Sequence, residues 1–185
     1  MHIAGQYYHV VNRGVNRQPI FSDKDNYDFL LRRIRKFLPD YGLTFIAYCL
    51  MPNHYHFLIR VEKDDELSPF IQRLFNSYTQ AYNRQQKRSG TLFGGRAKSK
   101  LVPEDKYLLH LVRYIHLNPV HAGLVENPGD WSYSNYLLWT GQRQGTLYDP
   151  DLVIELFSDP VEYEEFVISE IPPNLERRLR KYTFE

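Results

Sequence analysis

A chain of 185 residues is long enough for one hydrophobic core with a small appendage, and its formal net charge is +1. Its single cysteine, Cys49, excludes a disulfide framework, and no apolar run approaches the roughly 20 residues that span a bilayer. We therefore expect a cytoplasmic protein without a membrane segment.

Charge is distributed unevenly along the chain. Residues 1–103 carry 16 Lys and Arg against 8 Asp and Glu, whereas residues 104–185 carry 7 against 14. Between Arg143 and Arg177 there are nine acidic residues and no basic one, and a short basic tail follows at 177–181. The first part could bind a polyanion, although a solvated basic face is the usual explanation for such a bias.

Patterns along the first hundred residues predict six elements in the order strand, helix, strand, strand, helix, strand. Aromatic and β-branched residues mark the strands, apolar residues at helical spacing mark the helices, and Ser22–Asp25 is typical of a helix start. The elements are residues 6–14, 22–38, 43–51, 54–62, 67–87 and 96–102. This order predicts an α+β, ferredoxin-like βαββαβ fold, in which two helices cover one face of a four-stranded antiparallel sheet.

A third helix is predicted over residues 104–118, and the open face of the sheet is where it could lie. It should end before Pro119, because the residue before a proline disfavours the α region. At about 100° per residue its apolar stripe contains Leu108, Val112 and Ile115, and the face beside that stripe contains Tyr107, His110, Tyr114 and Asn118. Beyond residue 125 we predict an extension of short helices, which gives a domain at 1–125 and an extension at 126–185.

The stretch MPNHYHFLI places two histidines on one face of a predicted strand. Tyr55 and Phe57 alternate with His54 and His56, so apolar residues facing the helices would turn the histidines to the open face. Two neighbouring imidazoles can converge on one cation. Two histidines with local hydrogen bonds explain this stretch equally well, because two ligands alone do not make a metal site.

Four separated blocks resemble, in order, the single-tyrosine HUH transposases, in particular the REP-associated tyrosine transposases and related insertion-sequence transposases. The blocks are YHVVNRG, MPNHYHFLI, LFGGRAKSKLV and RYIHLNPVHAGLV, and the resemblance covers roughly residues 7–136. It implies that His54 and His56 bind a divalent cation, Mg²⁺ or Mn²⁺, with Asn118 as third ligand. Tyr114 would be the nucleophile, one helical turn before Asn118.

The resemblance also implies the reaction. Tyr114 would attack a phosphodiester of single-stranded DNA at hairpin-bearing repeats, leaving a 5′-phosphotyrosine and a 3′-hydroxyl that can reverse the step. The protein would be a DNA endonuclease and strand transferase of the bacterial cytoplasm, associated with the nucleoid, and related proteins act as monomers or homodimers. A phenol ionises near pH 10, so such a nucleophile needs its proton removed or shared, and a bound cation would polarise the phosphoryl oxygen. Imidazole ligands would also suit Zn²⁺.

Basic residues near these blocks are candidates for contacts with the DNA backbone, which would make binding depend strongly on salt. They are Arg13, Arg17, Arg60, Arg96, Lys98 and Lys100. Each alone is as well explained by a solvated surface charge. His110 shares the face of Tyr114 and could orient phosphate or DNA.

Other tyrosines and histidines are better explained by structure. Tyr78 and Tyr82 align with the apolar stripe of the second helix and should pack in the core. His116 should be structural, because it lies on the other side of the helix from Tyr114. His9 is expected to be a local hydrogen-bonding residue.

Two other functions remain open from the sequence. A replication initiator or relaxase of the wider HUH group is disfavoured, because the histidine pair precedes the tyrosine and no helicase or long accessory region follows. A non-catalytic module that binds single-stranded DNA or an RNA hairpin would also suit a ferredoxin-like sheet with aromatic strands.

Overall fold

The computed structural model describes residues 1–102 and 105–169, the side chains of residues 105 and 106 excepted. The basic tail at 177–181 and Glu104, the first residue of the predicted third helix, lie outside the described residues. The strands are β1 (Tyr7–Arg13), β2 (Leu43–Met51), β3 (His54–Val61) and β4 (Lys98–Val102). The α-helices are α1 (Lys24–Phe37), α2 (Leu67–Gln85), α3 (Asp105–His121), α4 (Tyr136–Trp139), α5 (Pro150–Leu156) and α6 (Pro160–Ile168).

The four strands form one antiparallel sheet in the order β2-β3-β1-β4. β2 and β3 form a hairpin around Pro52–Asn53, and β1 lies between β3 and β4. This is the order of a split βαβ fold, so the predicted ferredoxin-like class is confirmed. β4 is an edge strand, as predicted, and it begins at Lys98 rather than at Arg96.

Helices α1 and α2 cover one face of the sheet. The side chain of Asp23 caps α1 by accepting a 3.0 Å hydrogen bond from the amide of Asn26. The aromatic and aliphatic side chains predicted for this core are buried in it: Tyr55, Phe57, Ile59, Tyr78 and Tyr82. Because side chains alternate along β3, this burial turns His54 and His56 to the opposite face.

Helix α3 lies on that opposite face. The apolar stripe predicted from its spacing is buried there, in a second core: Leu108, Val112 and Ile115. The sheet contributes Cys49 of β2 and Leu58 of β3 to the same core. The sheet is therefore covered on both sides, and α3 packs mainly against β2, the neighbour of the strand that carries the two histidines.

The prediction that α3 ends before Pro119 is wrong, because the helix continues to His121. A proline in the last turn removes one backbone donor, and here its side chain is buried against the protein. The helix ends where Gly123 adopts a φ of 67°, the left-handed conformation that glycine favours. The amide of Gly123 donates to the carbonyl of Val120, and that of Leu124 donates to the carbonyl of Pro119, each at 2.9 Å.

The segment after residue 125 completes the core around α3. Trp139 of α4 and both Tyr163 and Val167 of α6 are buried in the same cluster as Ile115. The described part of the extension thus shares a core with the sheet, and a domain boundary at residue 125 stays a prediction. No helix in the described ranges is long and apolar enough to cross a membrane.

His116 connects α3 to this segment and is fully buried, which agrees with a structural role. Its Nε2–H donates a 2.8 Å hydrogen bond to Asn135 Oδ1, so its Nδ1 accepts from the hydroxyl of Tyr163. Asn135 Oδ1 also accepts a 2.7 Å bond from the amide of Tyr48 in β2. Burial lowers the pKa of His116 to about 4, so its ring is neutral at pH 7.

We predict that His116 makes the stability depend on pH. Its pKa falls from 6.5 in the unfolded chain to about 4 in the folded chain, so the unfolded chain binds the proton first. The stabilisation that neutral His116 gives the folded chain is complete above about pH 6.5 and is lost as the pH falls towards 4. Between pH 7.5 and pH 5 this loss amounts to about 2 kcal/mol. Urea unfolding with EDTA present should show this loss in the wild type and a smaller one in His116→Gln, which keeps a donor for Asn135.

Other titrating groups are common to both proteins, so they cancel in the difference between the two losses. Equal losses in wild type and His116→Gln would contradict the assignment to His116.

Candidate active site

A cleft of about 360 Å³ lies between strands β1 and β3, helix α3, and the glycine-rich loop that precedes β4. Seven of the residues singled out in the sequence line it: Arg13, Arg17, His54, His56, Arg96, Lys98 and Tyr114. Backbone and small side chains complete the wall, among them Gly14, Gly94 and Gly95. The structure thus gathers parts of all four sequence blocks at one point.

The two histidines of β3 lie side by side in this cleft. Their ring centroids are 5.0 Å apart and their planes are nearly perpendicular, at 83°. His54 is half-buried, whereas His56 is only 2% exposed and its Nε2 has no hydrogen-bond partner. A buried nitrogen in that condition is costly unless a ligand satisfies it.

Asn53 orients His54 and ties it to the arginine-bearing loop. Asn53 Oδ1 accepts a 2.6 Å hydrogen bond from His54 Nδ1–H, which leaves the lone pair of the ring on Nε2. Asn53 Nδ2 donates to the carbonyl of Arg17 at 3.3 Å, and the Asn53 carbonyl accepts from the amide of Gly14 at 2.8 Å. The turn before β3 therefore sets both the tautomer of a candidate ligand and the position of a candidate phosphate contact.

The loop after β1 is strained where it borders the cleft. Asn16 and Arg17 both have left-handed backbone angles, with φ of 51° and 59°, and each such residue costs on the order of 1–3 kcal/mol. Hydrogen bonds hold the loop: the amide of Val15 donates to Leu92 and the amide of Arg17 donates to Gly14, each at 3.0 Å. Strain maintained by surrounding bonds is common at functional sites, and here it presents Arg17 to the cleft.

Tyr114 approaches the histidines from α3. Its ring centroid is 5.6 Å from that of His56, with the planes at 88°, and the tyrosine is half-buried at the wall of the cleft. The contact joins two side chains that are far apart in sequence, and it lies within one chain.

Asn118 lies one helical turn beyond Tyr114. It is 6% exposed and its Nδ2 has no hydrogen-bond partner, but it is not among the residues lining the cleft. Among the described residues, no group of three or more His, Cys, Asp or Glu side chains could hold a metal ion. A site built from His54, His56 and an asparagine oxygen falls outside that set, and the metal role of Asn118 stays a prediction.

The electrostatics of the cleft favour an anion beside a neutral imidazole. Four of its lining side chains are cationic and none of its described lining residues is acidic. Burial is the main reason that the pKa of His56 lies well below its usual value, and the nearby His9, His54 and Arg13 lower it further. A neutral imidazole is the form that binds a cation, and the surrounding arginines suit phosphate.

Three further predicted site residues lie outside the cleft. Arg60 is at the other end of β3, about 20 Å from His54 at the rise of an extended strand, and its guanidinium pairs with Glu62 at 2.8 Å and Asp149 at 2.7 Å. The His110 ring packs 5.3 Å from that of Phe166 in α6, and His110 is not among the residues that line the cleft. Lys100 lies on the same face of β4 as Lys98, beyond the cleft wall.

One residue of the site was missed. His9 was expected to be a local hydrogen-bonding residue, and it does form such a bond, but its partner is His56, with 3.0 Å between His9 Nε2 and His56 Nδ1. Only the pairing of β1 with β3, which the sequence does not specify, brings the two rings together. The sequence did show that His9, Val11 and Arg13 occupy alternate positions of β1 and therefore share one face with each other.

Comparisons with known proteins match the part of the chain that carries these residues. The family described as "Transposase IS200 like" matches residues 2–118, a range that includes both histidines, Tyr114 and Asn118. A REP-associated tyrosine transposase of Escherichia coli K12 is 25% identical over 134 residues, 72% of this chain and 77% of its own length. A Haemophilus influenzae protein assigned to the same group is 32% identical over 106 residues, 52% of this chain.

That match spans 60% of the length of the Haemophilus influenzae relative. Among solved structures, a REP-associated tyrosine transposase bound to a REP hairpin aligns with a TM-score of 0.61 at 20% identity. The alignment covers 80% of this chain and 91% of the other. At that identity the likeness concerns the fold, and it agrees with the sheet and helices described above.

We predict that the cleft wall does not tolerate a side chain at Gly14. A Cβ there would lie 2.1 Å from the carbonyl oxygen of Gln18, so the loop bearing Arg17 would have to move. Overpacking of this kind costs about 1–3 kcal/mol. Urea unfolding of Gly14→Ala should show that loss, while Gly94→Ala, whose Cβ has no neighbour nearer than 3.8 Å, should unfold like the wild type. Equal stability of both variants would contradict the contact with Gln18.

Proposed function

The chain belongs to the IS200-like transposase family, and from that premise and the cleft geometry we propose that it is a REP-associated tyrosine transposase. In this proposal it cleaves and rejoins single-stranded DNA at hairpin-bearing repeats through a 5′-phosphotyrosine. The observation that carries the proposal is the meeting of Tyr114 with His56, 5.6 Å between ring centroids, in a cleft that four cationic side chains line.

The residues present fit a divalent cation. His54 has its lone pair on Nε2, His56 has a buried Nε2 without a partner, and Asn118 offers a buried amide on the turn after the tyrosine. These three side chains would hold Mg²⁺ or Mn²⁺, and when bound the cation would polarise the phosphoryl oxygen and offset the charge that develops on it.

The protein groups supply the nucleophile and the position of the DNA. Tyr114 Oη would attack the phosphorus atom, forming a bond to the 5′ phosphate as the bond to the 3′ oxygen breaks. The phenolic proton is lost and the departing oxygen gains one, which gives a 3′-hydroxyl. Because the phosphotyrosine retains a phosphodiester, the reverse attack by a 3′-hydroxyl joins strands without a further energy source.

The cationic wall gives this substrate a place. Arg13 ends β1 and Arg17 lies on the loop after it, whereas Arg96 and Lys98 lie before and at the start of β4, so the backbone of a DNA strand can pass between the two pairs. The structural relative is bound to a REP hairpin, which supports hairpin DNA as the partner. Since the histidines and the tyrosine meet within one chain, we propose that one copy is sufficient for cleavage.

We predict that Tyr114→Phe abolishes covalent attachment to DNA. A labelled hairpin oligonucleotide with a single-stranded flank and Mn²⁺ should give an adduct that survives denaturing electrophoresis with the wild type and none with the variant. Tyr107→Phe is the matched control, since it removes the same hydroxyl two turns earlier on α3 and should leave the adduct intact.

Undiminished adduct with Tyr114→Phe would overturn the assignment of the nucleophile. Tight hairpin binding by a wild type that never forms an adduct would favour the non-catalytic binding module instead.

We predict that the cleft cations, and not Arg60, set the salt dependence of binding. Each phosphate contact that is removed lowers the slope of log affinity against log salt by about 0.7 for a single strand. In a Tyr114→Phe background, Arg13→Gln with Lys98→Gln should lower the slope by about 1.4, measured by fluorescence anisotropy of a labelled oligonucleotide. Arg60→Gln should leave the slope unchanged, because Arg60 already pairs with Glu62 and Asp149; a drop of about 0.7, the value for one lost phosphate contact, would contradict this.

A further inference from the structure

We infer that His9 is a positioning residue that fixes the tautomer of His56. In this tautomer Nε2 of His56 carries no hydrogen and presents its lone pair to the cleft. The inference rests on the proposed function for its purpose, because a cation is what such a lone pair would bind. Its evidence is a hydrogen bond and an unpartnered atom that exist independently of the DNA chemistry.

The two rings meet edge to edge inside the protein. His9 is fully buried and His56 is 2% exposed, and their planes differ by 15° with centroids 5.2 Å apart. At that separation a nitrogen-to-nitrogen distance of 3.0 Å means that ring edges, and not ring faces, are in contact. The lone pair in the plane of one ring therefore points along the N–H of the other, as a hydrogen bond requires.

The sheet register creates this pair. His9 of β1 lies opposite Leu58 of β3, and His56 is the diagonal neighbour on the same face of the sheet. Both backbones are fixed by the antiparallel ladder, so the rings have little freedom to separate. The contact is thus built into the central strands, whereas the partner of His54, Asn53, comes from the turn before β3.

Only one nitrogen of the pair carries the proton between them, and the two arrangements differ at the far side of His56. If His9 donates, His56 must carry its hydrogen on Nε2, as a buried donor that has no acceptor. If His56 donates from Nδ1, its Nε2 carries a lone pair that a cation can satisfy. The second arrangement leaves His56 with no buried donor that lacks an acceptor, and it matches the orientation that Asn53 gives to His54.

Two substitutions separate the hydrogen bond from the packing. His9→Gln can place an amide oxygen near the position of Nε2 and so still accept from His56. His9→Phe keeps an aromatic ring against His56 and removes the acceptor. We expect His9→Phe to weaken Mn²⁺ binding about 10- to 100-fold, the usual effect of losing a residue that orients a metal-binding histidine, and His9→Gln to retain most of the affinity.

Mn²⁺ affinity is measured by electron paramagnetic resonance of the free ion, without DNA, on variants that circular dichroism shows to be folded. Equal Mn²⁺ affinity of wild type and folded His9→Phe would overturn the inference. So would equal losses in His9→Phe and His9→Gln, since they would assign the effect to packing.

A second measurement needs no substitution. Long-range ¹⁵N–¹H correlation spectra of the metal-free wild type, with labelled histidine, report which ring nitrogen of His56 carries hydrogen. We expect the proton on Nδ1, and a proton on Nε2 would overturn the inference even if neither variant folds. Neither readout uses DNA, so the inference and the proposed function can fail separately. If the wild type forms the DNA adduct but His9→Phe binds Mn²⁺ as tightly as the wild type, only the positioning role of His9 is refuted. If the wild type forms no adduct, only the proposed function is refuted.

Discussion

The packing of α3 on the outer face of the sheet is the interaction on which the site depends. Nothing in the local sequence brings Tyr114 to a strand that ends at Val61, and only the burial of a helical stripe against β2 and β3 does so. The same burial fixes the rotation of α3. With Val112 and Ile115 directed into the core, Tyr114 falls at the cleft, and the histidines below it face the helix because Tyr55 and Phe57 face the other way.

The segment after residue 118, where the family match ends, acts on the same helix from behind. His116 is bonded to both Asn135 and Tyr163, and Asn135 is in turn bonded to β2 through the amide of Tyr48. These bonds join three elements through one buried imidazole two residues from Tyr114, the proposed nucleophile. The position of Tyr114 is therefore determined by two sets of contacts that α3 makes, one with the sheet and one with α4 and α6.

Much of this could be predicted from the sequence, because local patterns determine it. Strand alternation predicted which way His54 and His56 point, helical spacing predicted the stripe of α3, and the order of elements predicted the fold. Long-range pairing could not be predicted. The partner of Arg60 is Asp149, 89 residues away, and the partner of His110 is Phe166, so both residues had seemed available for DNA.

The register of β1 against β3 explains the remaining difference. A sequence shows that His9 and His56 each belong to a strand, but a shift of one residue between the strands would place them on opposite faces. The observed register makes them diagonal neighbours, and this converts a histidine that looked incidental into the hydrogen-bond partner of a candidate ligand. The site thus draws its two orienting contacts from different levels of structure: Asn53 from a turn that the sequence displays, and His9 from a strand pairing that only the folded sheet supplies.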